Sequence, residues 1–191
     1  MVAMQITTNL LAQSVRAHRE SRGFSLGTLS QMAGISKTSL SKIEAGQGNP
    51  SLEVLNRIAN ALNVPVGSLF GEENHSQVSI IRRGEGQVVT SDAGLMSRTL
   101  LVDGRSHRMS IYELHLPTQA TYRALAHLPG TQEFLLCLDG DIRLGPEEQE
   151  VELQPGDALC FAADLPHTYN SMSGAKALLV MQYPPAQGIV P

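Results

Sequence analysis

The sequence predicts a helical domain followed by an all-β domain in one chain of 191 residues. Three observations predict it. Apolar residues recur at helical spacing through residues 1–70. Beyond that, short strand-length runs alternate with Gly, Pro and Asp clusters. The charge also changes sign along the chain. Residues 1–71 carry six Lys/Arg against three acids, and residues 72–191 carry eight against fifteen. The basic part can meet a polyanion, while the acidic part is repelled by one.

Composition narrows the class further. With 42% apolar and 17% charged residues, the chain can build a packed core and is not a disordered one. No apolar run approaches the roughly 20 residues of a membrane span. The opening MVAMQITTNLL lacks the basic-then-apolar pattern of a secretory leader. Two cysteines, Cys137 and Cys160, make no disulfide framework. Both sit in apolar runs, so they are expected as buried free thiols in a cytoplasmic protein.

The helices come in order. Leu10, Leu11, Ser14, Val15 and His18 share one face of a first helix, which Gly23 ends. Ser25 caps a second, with Leu26, Leu29 and Met32 inward, and Gly34 breaks it. Ser36 caps a third, Lys37 to about Ala45, with Leu40 and Ile43 inward. Asn49-Pro50 starts a fourth, as N-cap and first helical residue, burying Leu52, Leu55, Ile58, Ala59 and Leu62. Val66–Phe70 adds a last short turn.

Residues 71–76 read as a linker. Nine strands are then expected: Val78–Arg82, Arg98–Val102, Met109–Leu116, Glu133–Leu138, Asp141–Leu144, Glu150–Leu153, Ala158–Phe161, His167–Asn170 and Lys176–Tyr183. Short strands in this number predict a sandwich or barrel. The domain organisation is therefore 1–70, a linker 71–76, a β domain 77–185 and a flexible Pro/Gly-rich tail 186–191.

The second and third helices meet at Gly34, with Ile35 and Leu40 beneath them and small Ser30 at their closest approach. That is helix-turn-helix geometry. With Ile35 to Glu44, Gly46, Asn49-Pro50-Ser51-Leu52 and Leu55 to Leu62, residues 8–70 resemble the XRE/Cro-C1 family, the five-helix lambda-repressor-like domain. The resemblance implies that the third helix enters the major groove of double-stranded DNA. Its outward residues Lys37, Thr38, Ser39, Ser41 and Lys42 then face base edges and phosphates, and Ser36 aims the helix N-terminus at a phosphate. Gln31, Arg16 and Arg22 are further backbone contacts. One such domain carries little net positive charge, so two copies on an inverted-repeat operator are expected.

Two blocks mark the β domain: His127 to Gly140, and Pro155 to Asn170. They resemble the two motifs of the cupin family across residues 77–183. The resemblance implies a double-stranded β-helix, or jelly-roll, barrel that dimerises. It also implies a metal set of His127, Glu133 and His167 for a divalent ion such as Zn, Fe, Mn or Ni. The family's His-x-His is absent: with His127 as its first member Pro129 holds the second place, and with His127 as its second member Leu125 holds the first, which leaves His115 on a preceding strand as the candidate substitute. Strand alternation adds Arg98, Tyr112, Glu113, Arg123 and Tyr169 as pocket candidates.

Three functions stay open at this point. The first is a non-enzymatic transcriptional regulator whose cupin dimerises and binds a small-molecule effector, with coupling through Glu72–Ser76. The second is a metal-dependent cupin enzyme carried to DNA by its helix-turn-helix. The third is a DNA-binding protein whose cupin is only a dimerisation scaffold.

Overall fold

The computed structural model describes the backbone of residues 2–70, 80–103 and 108–185, and side chains from Asn9 onward. The expected linker 71–76, the coupling assigned to Glu72–Ser76 and the tail 186–191 lie outside the described residues.

Four α-helices open the chain: α1 Val2–Ser21, α2 Leu26–Met32, α3 Lys37–Glu44 and α4 Leu52–Leu62. A 3-10 helix, Val66–Phe70, is the fifth helical segment. The caps arise from side-chain chemistry. Ser25 Oγ accepts from the Thr28 amide and Ser36 Oγ from the Ser39 amide, each at 3.0 Å. The fourth helix starts later than Asn49-Pro50 suggests. The Leu55 amide donates to the Ser51 carbonyl at 3.0 Å, which makes Ser51 the residue of entry and leaves Asn49 and Pro50 in the loop. Asn63, in the left-handed region at φ 53°, ends α4. Leu11, Val15, Leu29, Leu40, Leu55, Ile58, Leu62 and Leu69 are buried together beneath these helices.

Ten strands come next: β1 Val88–Thr90, β2 Met96–Asp103, β3 Met109–Leu116, β4 Ala120–Ala124, β5 Gln132–Gly140, β6 Ile142–Pro146, β7 Val151–Leu153, β8 Ala158–Ala162, β9 His167–Ser171 and β10 Ala175–Gln182. They form a six-stranded sheet ordered β1-β2-β3-β10-β5-β8 and a four-stranded sheet ordered β4-β9-β6-β7. Every pairing is antiparallel. The inward faces bury Leu114, Tyr122, Leu135, Cys137, Ile142, Leu144, Tyr169 and Leu179.

Three expectations change. Residues 80–82 form no strand, and residues 78–79 lie outside the described ones; the first strand is β1. β4 is an additional strand and brings Tyr122 inward beside Tyr169, with ring centroids 6.0 Å apart. Cys160 is exposed rather than buried, since β8 turns it to the outer face opposite Phe134, while Cys137 is buried.

The helical and β parts share one continuous hydrophobic cluster. The 3-10 helix lies directly on β2 and β3. A Cβ added at Gly67 would sit 2.4 Å from Val102 Cγ2 and 3.2 Å from Tyr112 Oη, so only glycine allows this approach. Asn60 Nδ2 on α4 donates to the Ala126 carbonyl at 3.0 Å, and the Asp92 amide donates to Glu53 Oε1 at 3.3 Å.

Candidate functional sites

The first site is the outer face of α3. Leu40 and Ile43 anchor the helix inward, and Lys37, Thr38, Ser39, Ser41 and Lys42 are all exposed, as is Ser36 at its N-cap. Among the described residues, no ion pair holds Lys37 or Lys42. Gly34 makes the turn from α2 at φ 61°, a left-handed conformation that disfavours side chains. The Ile35 amide then bonds the Ser30 carbonyl at 3.0 Å. Gln31 is exposed at the end of α2. Arg16 and Arg22 lie apart on or just after α1. Arg16 pairs with Glu20 at 2.8 Å, and Arg22 Nη1 donates to the His18 carbonyl at 3.0 Å.

Sequence reasoning missed what holds α3 in place. Arg19 Nε and Nη2 donate to Glu44 Oε1 and Oε2 at 2.7 and 2.9 Å, a two-pronged pair whose side chains are only 11% and 8% exposed. Arg19 Nη1 also donates to the Phe24 carbonyl at 2.9 Å. Arg57 on α4 donates to the Gly34 carbonyl at 3.4 Å, tying α4 to the turn. Opposite charges twenty-five residues apart leave no periodic trace, so only the fold reveals this clamp.

The second site lies inside the barrel. β5 carries Glu133, β9 carries His167 and Tyr169, and the loop before β5 carries His127. The ligand atoms of His127, Glu133 and His167 all lie within 4.8 Å of one another. His127 Nε2 is 3.0 Å from Glu133 Oε1, His167 Nε2 is 3.5 Å from the same oxygen, and Tyr169 Oη donates to Glu133 Oε2. Burial opposes ionisation of Glu133, but hydrogen bonds and charge from His127 and His167 outweigh it and hold the carboxyl far below its usual range. Burial works to lower the His167 pKa, and Glu133 reverses it to a net rise. Burial, then the Glu133 charge, pushes the Tyr169 hydroxyl well up.

The donor set suits a metal ion on one specific point. His167 Nδ1 faces the Leu165 carbonyl at 2.8 Å, so that nitrogen carries the proton. Its Nε2 is buried 3.5 Å from Glu133 Oε1, without a hydrogen bond of ordinary geometry among the described residues. That position suits either a proton shared with the carboxylate or a cation bound by both groups.

Strand alternation decides the other candidates. Tyr112 and Tyr169 face the interior cavity, together with Leu114, Ala124, Leu179 and Met181. Arg98, Glu113 and His115 do not. Tyr112 and Leu114 take the inward positions on β3, so Glu113 and His115 point outward, with Arg98 beside them on β2. There Arg98 Nε donates to Glu113 Oε2 at 2.7 Å and His115 Nε2 lies 3.1 Å from Glu113 Oε1. Thus His115 does not replace the missing histidine. Arg123 also points outward, on β4 between inward Tyr122 and Ala124, with Glu147 at 3.9 Å. The cavity lining also includes residues from outside the barrel that the sequence did not nominate for it: Leu52 and Asn56 of α4 and Val66 of the 3-10 helix.

Known proteins carry both halves. Residues 15–69 match the helix-turn-helix family model, and residues 113–183 match the cupin domain model. The HTH-type transcriptional regulator SutR of Escherichia coli (strain K12) is 24% identical over 168 residues, spanning 88% of this chain and 90% of that protein. The HTH-type transcriptional regulator SinR of Bacillus subtilis (strain 168) is 33% identical over 69 residues, 36% of this chain and 62% of that protein. A crystal structure of an HTH_3 family transcriptional regulator from Vibrio cholerae superposes with a TM-score of 0.75 at 25% identity, covering 95% of this chain and 99% of that one. The order of the two domains, and a regulator aligned along most of the length, place this chain among the XRE-type helix-turn-helix transcriptional regulators that carry a C-terminal cupin domain.

Proposed function

We propose that two copies of this chain bind an inverted-repeat operator in double-stranded DNA, and that the cupin barrel takes a small-molecule effector that changes operator affinity. The observation that carries the DNA part is the outer face of α3. Lys37, Thr38, Ser39, Ser41 and Lys42 are exposed side by side on a helix whose opposite face is locked into the core. A hydroxyl or ammonium that faces solvent is available to donate to a base edge or phosphate. Ser36, Gln31, Arg16 and Arg22 take backbone-contact roles in this reading. Domain limits of 1–70 and 77–185 and a cytoplasmic location go with it. No helix among the described residues is long and apolar enough to cross a membrane.

Dimerisation is supported by the outer face of the six-stranded sheet. Phe134 and Leu138 are exposed there, beside half-buried Ile111, Leu136, Leu178 and Val180 on adjoining strands. An apolar face of this kind suits a second copy of itself. In sedimentation, Leu138→Glu is expected to give monomers where the natural chain gives dimers.

A divalent ion, Zn, Fe, Mn or Ni, would be held by His127, Glu133 and His167. It would supply a Lewis-acid centre that grips an oxygen of the effector. Stoichiometric metal in the purified chain, lost in His167→Gln, is the expected elemental analysis. We read the cupin as a binding domain and not an enzyme, because the family's second histidine is missing and the cavity is closed by the chain's own helices. The central test is a genomic binding selection read by sequencing. A short inverted repeat enriched by the natural chain, and lost in the Lys37→Ala/Lys42→Ala variant, is expected. No enrichment even at low salt overturns the regulator reading.

A further inference from the structure

The cavity at the heart of the barrel is not made by the barrel alone. Leu52 and Asn56 of α4 and Val66 of the 3-10 helix close it opposite His127, Glu133 and Tyr169. Leu52, Asn56 and Asn60 recur every four residues, so α4 has a second working face besides the stripe Leu55, Ile58 and Leu62. Asn56 lines the cavity with Tyr122, and Asn60 Nδ2 donates to the Ala126 carbonyl. Gly67 presses the 3-10 helix onto Val102 and Tyr112. Tyr112 Oη is buried at this seam without a hydrogen bond of ordinary geometry among the described residues.

The size of the cavity limits its occupant. Closed, it holds about 40 Å³, room for about three ordered waters and for no metabolite of ordinary size. Its walls are largely apolar; His127, Glu133 and Tyr169 form its charged cluster, and Asn56, Ser97, Tyr112 and Tyr122 add uncharged polar groups. We propose that α4 and the 3-10 helix are a lid, and that a small amphiphile, polar at one end and apolar along its body, occupies the barrel only when this lid lifts. Ligand occupancy and docking of the DNA-binding domain then exclude each other. Because Arg57 on α4 holds the Gly34 carbonyl and α4 shares its core with Leu29 and Leu40, lifting the lid carries α3 with it. The lid rests on the effector reading above and names the residues through which the effector acts.

Two full-length variants test it with the dye 1-anilinonaphthalene-8-sulfonate, an amphiphile of this class. Gly67→Ala places a methyl against Val102 with no conformational strain of its own, so it wedges the lid open. Gly67→Cys/Val102→Cys, made with Cys160→Ser, locks the lid shut when oxidised and frees it when reduced. Gly67→Ala is expected to bind dye about tenfold more tightly than the natural chain, because the open form no longer has to be populated at the expense of the closed one. Amide exchange should rise across residues 52–70 and stay unchanged in β3 and β5. The oxidised pair is expected to lose the dye bound by its reduced form, which also subtracts any dye on the outer sheet face. Equal dye binding by the natural chain, Gly67→Ala and the oxidised pair overturns the lid. These readouts need no DNA. The lid result is therefore independent of the binding selection: it can hold when the selection enriches nothing and fail when the selection succeeds.

Discussion

On α3, the polar atoms of Lys37, Thr38, Ser39, Ser41 and Lys42 face solvent and find no ion-pairing partner among the described residues. In the barrel, Glu133 is 1% exposed and already meets His127, His167 and Tyr169 before any ligand arrives. The first surface is incomplete and waits for a large polyanion. The second is nearly self-satisfied, although His167 Nε2 and Tyr112 Oη are among the buried polar atoms without a hydrogen bond of ordinary geometry among the described residues. Substitutions should therefore separate the two. On α3 they should change binding and spare stability, while in the barrel they should change stability first.

The largest effect is expected at Glu133. Glu133→Ala strips a buried carboxylate from two histidines and a tyrosine hydroxyl, leaving each without its partner. Breaking a buried charged group in this way costs about 3–5 kcal/mol. Denaturant unfolding of the cupin transition measures it. A loss as small as that of a surface substitution would mean that the cluster is solvated and the contrast is false.

Next comes the clamp behind α3. Arg19→Ala leaves Glu44 nearly buried and unpaired, and is expected to cost about 2 kcal/mol, somewhat below a fully buried pair. It also loosens α3, so operator affinity falls with it. Arg19→Lys should recover little of either, since an ammonium cannot serve both carboxylate oxygens and the Phe24 carbonyl at once. Full rescue by lysine would show that charge, not geometry, holds the helix.

The outer face of α3 gives the third. Lys37→Ala and Lys42→Ala are each expected to weaken operator binding about tenfold with the melting temperature unchanged. A lysine on a phosphate lowers the salt slope by about one, and a lysine on a base relaxes specificity at one position. Titrations at several salt concentrations separate these roles. A drop in stability matching the drop in affinity would erase the distinction between the two surfaces.

The same contrast explains what could be read from sequence. The helix-turn-helix was legible because its information is local: Ser25 and Ser36 cap, Gly34 turns, and Leu29, Leu40 and Ile43 recur at helical spacing. The triad of His127, Glu133 and His167 was legible only as motif positions, and strand alternation could not say which face was inside. It offered Tyr112 and Glu113 together, although neighbours on a strand face opposite ways. Leu114 and the outward pairing with Arg98 resolve that choice, and both come from the fold. β4 escaped because Ala120–Ala124 has only Thr121 and Tyr122 as strong strand formers. The cavity residues Leu52, Asn56 and Val66 escaped for another reason. α4 reads as one amphipathic helix, and nothing in its spacing announces that a second domain packs on the other stripe.

The smallest effect is expected where a charge does structural work at the barrel surface. Asp141 accepts from Ser173 Oγ and from the Met172 and Ser173 amides, pinning the turn after β5 to the turn before β10. The Ser173 hydroxyl first, then the Met172 amide, hold its carboxyl below the usual range. A depressed folded-state pKa stabilises the fold above the unfolded value of about 3.9, and that stabilisation is lost as pH falls through the folded value. Asp141→Asn should therefore be slightly less stable than the natural chain at neutral pH. The difference should shrink below about pH 4, where the natural carboxyl also gains its proton. Unfolding curves at both pH values measure it. Because Asp141 lies on the solvent side, salt and water screen the effect, which keeps it far below that of Glu133. A gap that persists undiminished in acid would assign the contribution to hydrogen-bond shape and not to charge. The surface of the barrel would then hold its turns by the same geometry that Arg19 uses to hold α3.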